Sequence, residues 1–352
     1  MTNQVQKAPR VKKESKNKIR VEFDRTPLLE RLKEKYVSVF FLKKVVWYVF
    51  RLAFLLGVCY IILFPFYSKI ASSFMSPEDF VDVTVRLIPK YPTLDIYKAI
   101  ITENGYFKAL LNTFILAGSC AVIQTFVCCL VGYGFAKFKF KFNNAIFMLV
   151  IFTMIVPHST LQLSMFMEFR YFDILGILNL LGGGVVDWIS LLKDTSLNLV
   201  NTYWPLWILS ATGLAFKNGL YIFMMRQFFR GVPDELEESA YVDGAGVFRT
   251  FIQIILPNAV PMMITIFMFA FSWQWTDNFY TDLFYTTSGP TLMPDIAASI
   301  PTSLNVTTAA GNMYTSAITN TCGILILVPL LIVYCFAQKY IIQGIERSGI
   351  TG

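Results

Sequence analysis

Long apolar runs recur along the chain, and short polar segments separate them. A run of about 20 apolar residues is long enough to cross the hydrocarbon core of a bilayer as one helix. The pattern predicts six transmembrane helices. They cover Val45–Tyr67, Phe107–Phe135, Ala145–Met167, Trp204–Phe229, Pro261–Trp275 and Ser316–Phe336. The fifth run is short, so its helix is expected to include Asn258–Val260 and Thr276 as well.

The composition agrees with this pattern. Of the 352 residues, 55% are hydrophobic and only 15% are charged, whereas about a quarter of a soluble protein is charged. The sequence therefore predicts an all-α polytopic membrane protein. A tail at 1–44 precedes the first helix at 45–67, a loop at 68–106 follows it, and a core at 107–344 ends in a short tail at 345–352.

The first tail is strongly basic. Residues 1–44 contain thirteen Lys or Arg and five Asp or Glu, which gives a net charge of +8. The positive-inside rule then places the N-terminus in the cytoplasm, and six crossings return the C-terminus to the same side. A nucleic-acid-binding arm and a signal-peptide n-region are the alternatives. The tail is too long for a signal peptide and no small-residue cleavage site follows. A solvated tail beside anionic lipid is favoured, with no nucleic acid as partner.

The chain lacks the residues that most enzyme classes need. It has one histidine, His158, and neither an H-E-x-x-H motif nor a phosphate-binding G-x-x-x-x-G-K-[ST] loop. All six cysteines fall in predicted helices without metal-ligand spacing, so they are expected to be packing residues. No catalytic site, metal or cofactor is predicted in this chain. Any nucleotide hydrolysis would take place on a partner.

Two ionisable residues lie inside predicted helices. His158 follows Pro157, and a neutral imidazole bonded to a carbonyl freed by the proline is favoured over a functional role. Lys217 lies in the middle of the fourth run. It either faces a wet cavity or another subunit, or it snorkels from a helix break at Gly219. The residues leave these two interpretations equal.

An acidic segment interrupts the apolar pattern between the fourth and fifth runs. Pro233 and the acids after it suit a helix start, so a short helix is predicted to end near Val242. Asp243–Gly246 has turn composition, and apolar residues then recur at helical spacing up to Pro257. This is a helix-turn-helix hairpin at 230–257. By composition, lying on the membrane is favoured over docking a partner through a ridge of Leu236 and Ala240.

The segment ELEESAYVDGAGVFRTFIQIILP resembles the EAA loop of ABC importer permeases. Glu238–Ala240 correspond to the E-A-A triplet and Asp243–Ala245 to its D-G-A, while Ile254, Leu256 and Pro257 correspond to the closing I-x-L-P. Ser239 replaces the first alanine and is the one departure. The resemblance implies that the hairpin docks into an ATPase, which reverses the preference drawn from composition.

Other segments resemble the carbohydrate-uptake class of these permeases, which includes the second permease of the maltose transporter. They are Ala109–Thr113, Leu175–Asn179, Met225–Phe229, Ser272–Asn278 and Gln338–Ile345. The long basic tail and an apparent insertion at 180–199, with its three glycines, depart from the class.

This resemblance implies a type I importer fold in the bacterial cytoplasmic membrane. The implied partners are a second permease, two ATPase subunits that bind ATP and Mg, an extracytoplasmic solute-binding protein, and a sugar or oligosaccharide. The implied coupling residues are Leu236, Glu237, Glu238, Ser239, Ala240, Asp243, Gly244, Ala245, Leu256 and Pro257. Pro157 and Pro329 are expected bend points.

A substrate path is expected from aromatic and amide groups at the end of the fifth run and just after it. The candidates are Trp273, Gln274, Trp275 and Asn278, together with Lys217. Indole faces can stack on sugar rings and amides can bind hydroxyls, although an aromatic belt at the outer interface is favoured for the tryptophans. The 68–106 loop and the 180–199 insertion would lie outside the membrane. A permease for a peptide, amino acid or lipid-linked solute, and a non-transporting scaffold, remain the alternatives.

Overall fold

The computed structural model describes residues 12–13, 19–20, 39–173, 197–285, 288–304 and 311–349. Most of the 1–44 tail, residues 180–196 of the expected insertion and the end of the 345–352 tail lie outside these ranges. The described residues are helical apart from connecting turns and two strands of two residues each. These strands, Lys12–Lys13 and Ile19–Arg20, pair antiparallel. The chain divides into two compact units, 1–68 and 69–352.

The first unit contains most of helix α1, Val39–Ser72. This helix includes the predicted span Val45–Tyr67 and continues through Pro65. Large apolar side chains such as Trp47, Phe54 and Ile61 are exposed along it. A helix that is apolar on all sides is suited to contact with lipid.

The second unit contains the remaining helices. Its first half comprises α2 Asp95–Glu103, α3 Tyr106–Lys137, α4 Asn143–Ile155, a 3₁₀ turn His158–Leu161, α5 Gln162–Arg170, α6 Trp204–Ala211 and α7 Asn218–Arg230. Its second half comprises α8 Glu235–Val242, α9 Val247–Thr250, a π turn Phe251–Ile255, α10 Leu256–Trp275, α11 Phe279–Phe284, α12 Met293–Ala298, a 3₁₀ turn Thr302–Leu304 and α13 Gly311–Gly349.

Within the described residues, four helices are long and apolar enough to cross a membrane, and a bent pair brings the number to five. The four are Phe41–Ser72, Tyr106–Lys137, Val247–Trp275 and Gly311–Gln343, and the pair is α4 with the His158–Arg170 segment. The prediction of six continuous spans is therefore wrong for two of the runs, because each of them is broken in the middle.

Backbone chemistry explains both breaks. The predicted helix Ala145–Met167 stops at Ile155 and turns by 90°, because Val156 precedes Pro157 and adopts an extended conformation. The bend expected at Pro157 is thus confirmed. The predicted helix Trp204–Phe229 divides into α6 and α7, and Lys217 has a left-handed backbone (φ 69°) just before α7. Pro329, the second expected bend point, lies inside the uninterrupted α13.

Helix α3 forms the centre of the second unit, where it packs against α7 and α10. Small residues allow the close approach: a Cβ at Gly132 would lie 2.5 Å from the Cβ of Met225. Cys120, Cys128, Cys129 and Cys322 are buried, as expected of packing residues, whereas Cys59 and Cys335 are exposed. In lipid, such close packing takes the place of the hydrophobic effect in holding helices together.

Candidate functional site

The predicted hairpin is present, and a glycine sets its turn. Helix α8 ends at Val242, and Gly244 has a φ of 80°. Its N–H donates to the carbonyl of Tyr241 at 3.0 Å, and the N–H of Ala245 donates to the carbonyl of Ala240 at 2.9 Å. This pair of bonds is a Schellman motif, which ends a helix and favours glycine at the left-handed position. The turn is therefore fixed by residues that the EAA resemblance singled out.

The sequence predicted that the second arm of the hairpin ends at Pro257. In the structure, the arm continues past this residue. Helix α9, the π turn and α10 form one continuous segment, Val247–Trp275. Pro257 lies in the first turn of α10, directly after the π turn, and Leu256 keeps helical angles (φ −61°). The π turn already departs from the i→i−4 hydrogen-bond pattern, so the missing N–H of Pro257 is accommodated where that pattern changes. The hairpin is consequently continuous with a spanning helix.

Lys137, the last residue of α3, ties the hairpin to the helix core. Its ammonium donates to the carbonyl of Val232 at 2.7 Å and to Oδ1 of Asp234 at 2.5 Å, and it lies 3.7 Å from Oε1 of Glu237. The side chains of Lys137 and Glu237 are only 7% and 11% exposed, whereas that of Asp234 is 78% exposed. The bond from Lys137 holds the pKa of Asp234 below its ordinary value. The base of α8 is thus anchored through an almost buried cation.

The predicted outward ridge of Leu236 and Ala240 is not present on the hairpin, because Ala240 is buried. Glu237 also faces inward, to Lys137, while Glu238 and Ser239 are exposed on the outer side. The sequence pattern missed the orientation because the partner of Glu237 comes from α3, about a hundred positions earlier in the chain.

A different set of apolar residues is exposed on the hairpin. Val242 is 88% exposed, Phe248 75% and Val247 48%, and they flank the turn on both sides. We call these three residues the hairpin apolar face. Phe251 and Ile255 of the second arm are buried. Phe248 precedes them by three and seven positions, which is the spacing of a single helical face, so no sequence signal marked it as exposed.

Replacement of Lys137 by Met is expected to loosen the hairpin. It leaves Glu237 nearly buried without a counter-charge, and breaking such a pair costs about 3 kcal/mol. Limited proteolysis of the purified protein in detergent should show faster cleavage between α8 and α9. Lys139→Met, at an exposed lysine two residues away, should leave the rate unchanged, and adding Glu237→Gln to Lys137→Met should restore resistance. Equal cleavage of the two lysine variants would contradict the anchoring role.

The two helix breaks lie together and line a cavity of about 600 Å³. Its lining includes Pro157 and His158 from the first break, and Phe216, Lys217 and Gly219 from the second. A second cavity of about 400 Å³ is also lined by His158 and Phe216. Trp273, near the end of α10, and Asp277 and Asn278, after it, complete this lining. The two cavities thus share part of their walls.

His158 is held in this region by a side chain from α11. Its Nδ1 lies 2.6 Å from the hydroxyl of Tyr280, and its ring packs edge-on against Phe216. The favoured interpretation was a bond to the carbonyl that Pro157 frees one turn earlier; the hydrogen-bond partner that the structure gives His158 is instead the hydroxyl of Tyr280. His158 instead connects the first helix break to α11.

The structure brings together some of the predicted path residues and separates others. The Lys217 ammonium lies 5.0 Å from the ring centre of Trp273, and Asn278 lines the second cavity beside that tryptophan. Trp275 is buried and donates to the carbonyl of Ile326 in α13 at 3.0 Å, so it packs α10 against α13. Gln274 is half-buried on α10. Among the described residues, no group of three or more His, Cys, Asp or Glu could hold a metal ion.

Comparisons with known proteins agree with this architecture. Residues 129–347 match the family model described as binding-protein-dependent transport system inner membrane component. Protein LplC of Bacillus subtilis (strain 168) is 26% identical over 86% of this chain and 94% of its own length. The arabinooligosaccharides transport system permease protein AraQ of the same organism is 25% identical over 86% of this chain and 97% of its length.

A solved structure has the same fold. It is a bacterial ABC transporter involved in the import of the acidic polysaccharide alginate, with a TM-score of 0.61 and 17% identity, and the similarity covers 85% of this chain and 97% of that one. Because the family model covers more than half of the chain, the resemblance drawn from the EAA segment is confirmed. The chain belongs to the inner membrane components of binding-protein-dependent transport systems.

Proposed function

We propose that this chain is a permease subunit of an ATP-driven ABC importer for a sugar or oligosaccharide in a bacterial cytoplasmic membrane. With a second permease it lines the path, two ATPase subunits bind at the hairpin side, and a solute-binding protein delivers the sugar from the other side. The chain itself carries no cofactor, and ATP and Mg are bound by the ATPase subunits. The family match and the sugar permeases among its relatives support this proposal.

The hairpin apolar face is the observation that carries the docking part of the proposal. Val242, Val247 and Phe248 are exposed at the turn of an otherwise acidic hairpin, although burying one such side chain is worth about 1.5–3 kcal/mol. A cleft on the ATPase would remove them from water, while Glu238 beside them would meet a basic residue of the partner. Glu237, turned toward Lys137, serves the internal anchor instead.

The hairpin would couple movement of the ATPase subunits to the helices around the path, because it is connected to α3 and α10. Movement of the ATPase pair on binding ATP would shift α8, and Lys137 would pass this shift to α3. The second arm continues without interruption from Val247 to Trp275, so its movement would reach Trp273 at the cavity. ATP binding would then favour one arrangement of the helices around the path, and hydrolysis would reverse the preference.

Isolation of the complete assembly tests the proposal. A tagged copy of the chain, purified in mild detergent, is expected to retain a second permease and an ATPase with a phosphate-binding loop, identified by mass spectrometry. Glu238→Lys should reduce the amount of ATPase retained about tenfold, because it reverses a charge at the contact. Glu235→Lys, an exposed change at the start of α8, serves as the control. Purification of the wild-type chain as a stable monomer would contradict the proposal.

A further inference from the structure

Lys217 lies at the break between α6 and α7, in the middle of the apolar run that the sequence predicts as the fourth transmembrane helix. Helix α7 continues from Lys217 for 13 residues to Arg230, which corresponds to about 20 Å of helix. On the other side of the break, the eight residues of α6 run from Ala211 back to Trp204 and span about 12 Å. A charged residue near the middle of a bilayer about 30 Å thick is costly unless it faces water or an opposite charge.

The described residues supply no counter-charge. Their four ion pairs do not include Lys217, and its ammonium makes no hydrogen bond to them. The nearby carboxylate of Asp277 accepts from the N–H of Tyr280 at 2.9 Å, which orients it toward the start of α11. Lys217 also stands at the positive end of the α7 dipole, where a cation is disfavoured. Both features favour an anion at this place.

Aromatic rings hold the lysine at the cavity wall. Its ammonium lies 4.6 Å from the ring centre of Phe216 and 5.0 Å from that of Trp273. These contacts stabilise the charge without neutralising it. Trp273 is half exposed, so part of its indole remains available to a ligand. Lys217 lines the cavity of about 600 Å³, and Trp273 lines the adjoining cavity of about 400 Å³, which shares His158 and Phe216 with it. Volumes of this size accommodate a sugar unit.

We propose that Lys217 binds the anionic group of an acidic saccharide as that saccharide passes the cavity. The group is a carboxylate, sulfate or phosphate, and Trp273 stacks on the ring that bears it. This inference rests on the proposed function and adds the charge of the solute. Lys217 is thus a specificity-determining residue, which selects by charge, while Trp273 accepts sugar rings of either class.

The test uses the whole importer in proteoliposomes, with its binding protein, and measures ATP hydrolysis and uptake. The probes are a tetragalacturonate, a sulfated disaccharide, a sugar phosphate and, as the neutral member, maltotetraose. At least one acidic probe is expected to stimulate hydrolysis more than maltotetraose does. Lys217→Gln should raise the KM for that probe about tenfold or more, since a charge-assisted bond is lost. Lys217→Arg should keep the KM near the wild-type value.

The control is Lys108→Gln, which removes an exposed lysine of α3 and should leave the KM unchanged. Stimulation by maltotetraose alone, or a wild-type KM for the acidic probe in Lys217→Gln, would overturn the inference while leaving sugar import intact. Failure of all three acidic probes in an assembled, ATP-hydrolysing complex would also overturn the inference, whereas failure of the chain to assemble with an ATPase would overturn the proposed function. Comparison of the three acidic probes identifies which anionic group the site accepts.

Discussion

Replacement of Val242 and Phe248 together by Asp is expected to abolish solute uptake. The two side chains, 88% and 75% exposed, would meet the ATPase cleft as carboxylates rather than as apolar groups. Losing their burial costs at least about 3 kcal/mol, which corresponds to more than a hundredfold in affinity. Copurification of the ATPase with the tagged chain, and uptake by cells that express the complex, measure the effect.

The matched control for this change is Val83→Asp. Val83 is 90% exposed on the segment between α1 and α2, away from the hairpin in sequence, so the same substitution there should leave the ATPase bound. Both variants should elute as single species in detergent, because neither residue contributes to the buried core. Retention of the ATPase by the Val242 and Phe248 variant would show that the hairpin apolar face is not the docking surface.

Replacement of Gly132 by Val is expected to prevent stable folding. A Cβ at this position would lie 2.5 Å from the Cβ of Met225 and 3.0 Å from the backbone nitrogen of Arg226. Since the second of these atoms belongs to the α7 backbone, no rotamer change relieves the clash and the two helices must separate. Such overpacking costs about 3 kcal/mol or more. The melting temperature in detergent and the yield of monodisperse protein should both fall.

Gly134 provides the control on the same helix. A Cβ there would meet no atom within 4 Å, so Gly134→Val has the same change in helix propensity without the clash. Only the variant at Gly132 should lose stability. Equal melting temperatures of the two variants would show that α3 and α7 leave room for a side chain at position 132. Under the proposed function, this packing would link the anchor at Lys137, at the end of α3, to the turn at Lys217, at the start of α7.

The apolar runs predict the long helices correctly where the sequence has no break. Tyr106–Lys137 contains the predicted Phe107–Phe135, and α13 contains Ser316–Phe336. The hairpin was also predictable, since Gly244 and the acidic first turn are local signals. The break near Lys217 was harder to place, because it depends on left-handed backbone at Gly213 and Lys217, and lysine gives no sign of that conformation.

The amino-acid sequence by itself therefore determined the class of the protein, its helical hairpin and its family, because periodicity, turn glycines and the EAA pattern are properties of neighbouring residues. The tertiary structure alone decided which hairpin side chains face outward, that Trp275 packs against α13 while Trp273 borders a cavity, and that His158 meets Tyr280. Each of these outcomes depends on a partner far away in the chain. Side-chain direction is set by such contacts, and no local pattern of residues contains them.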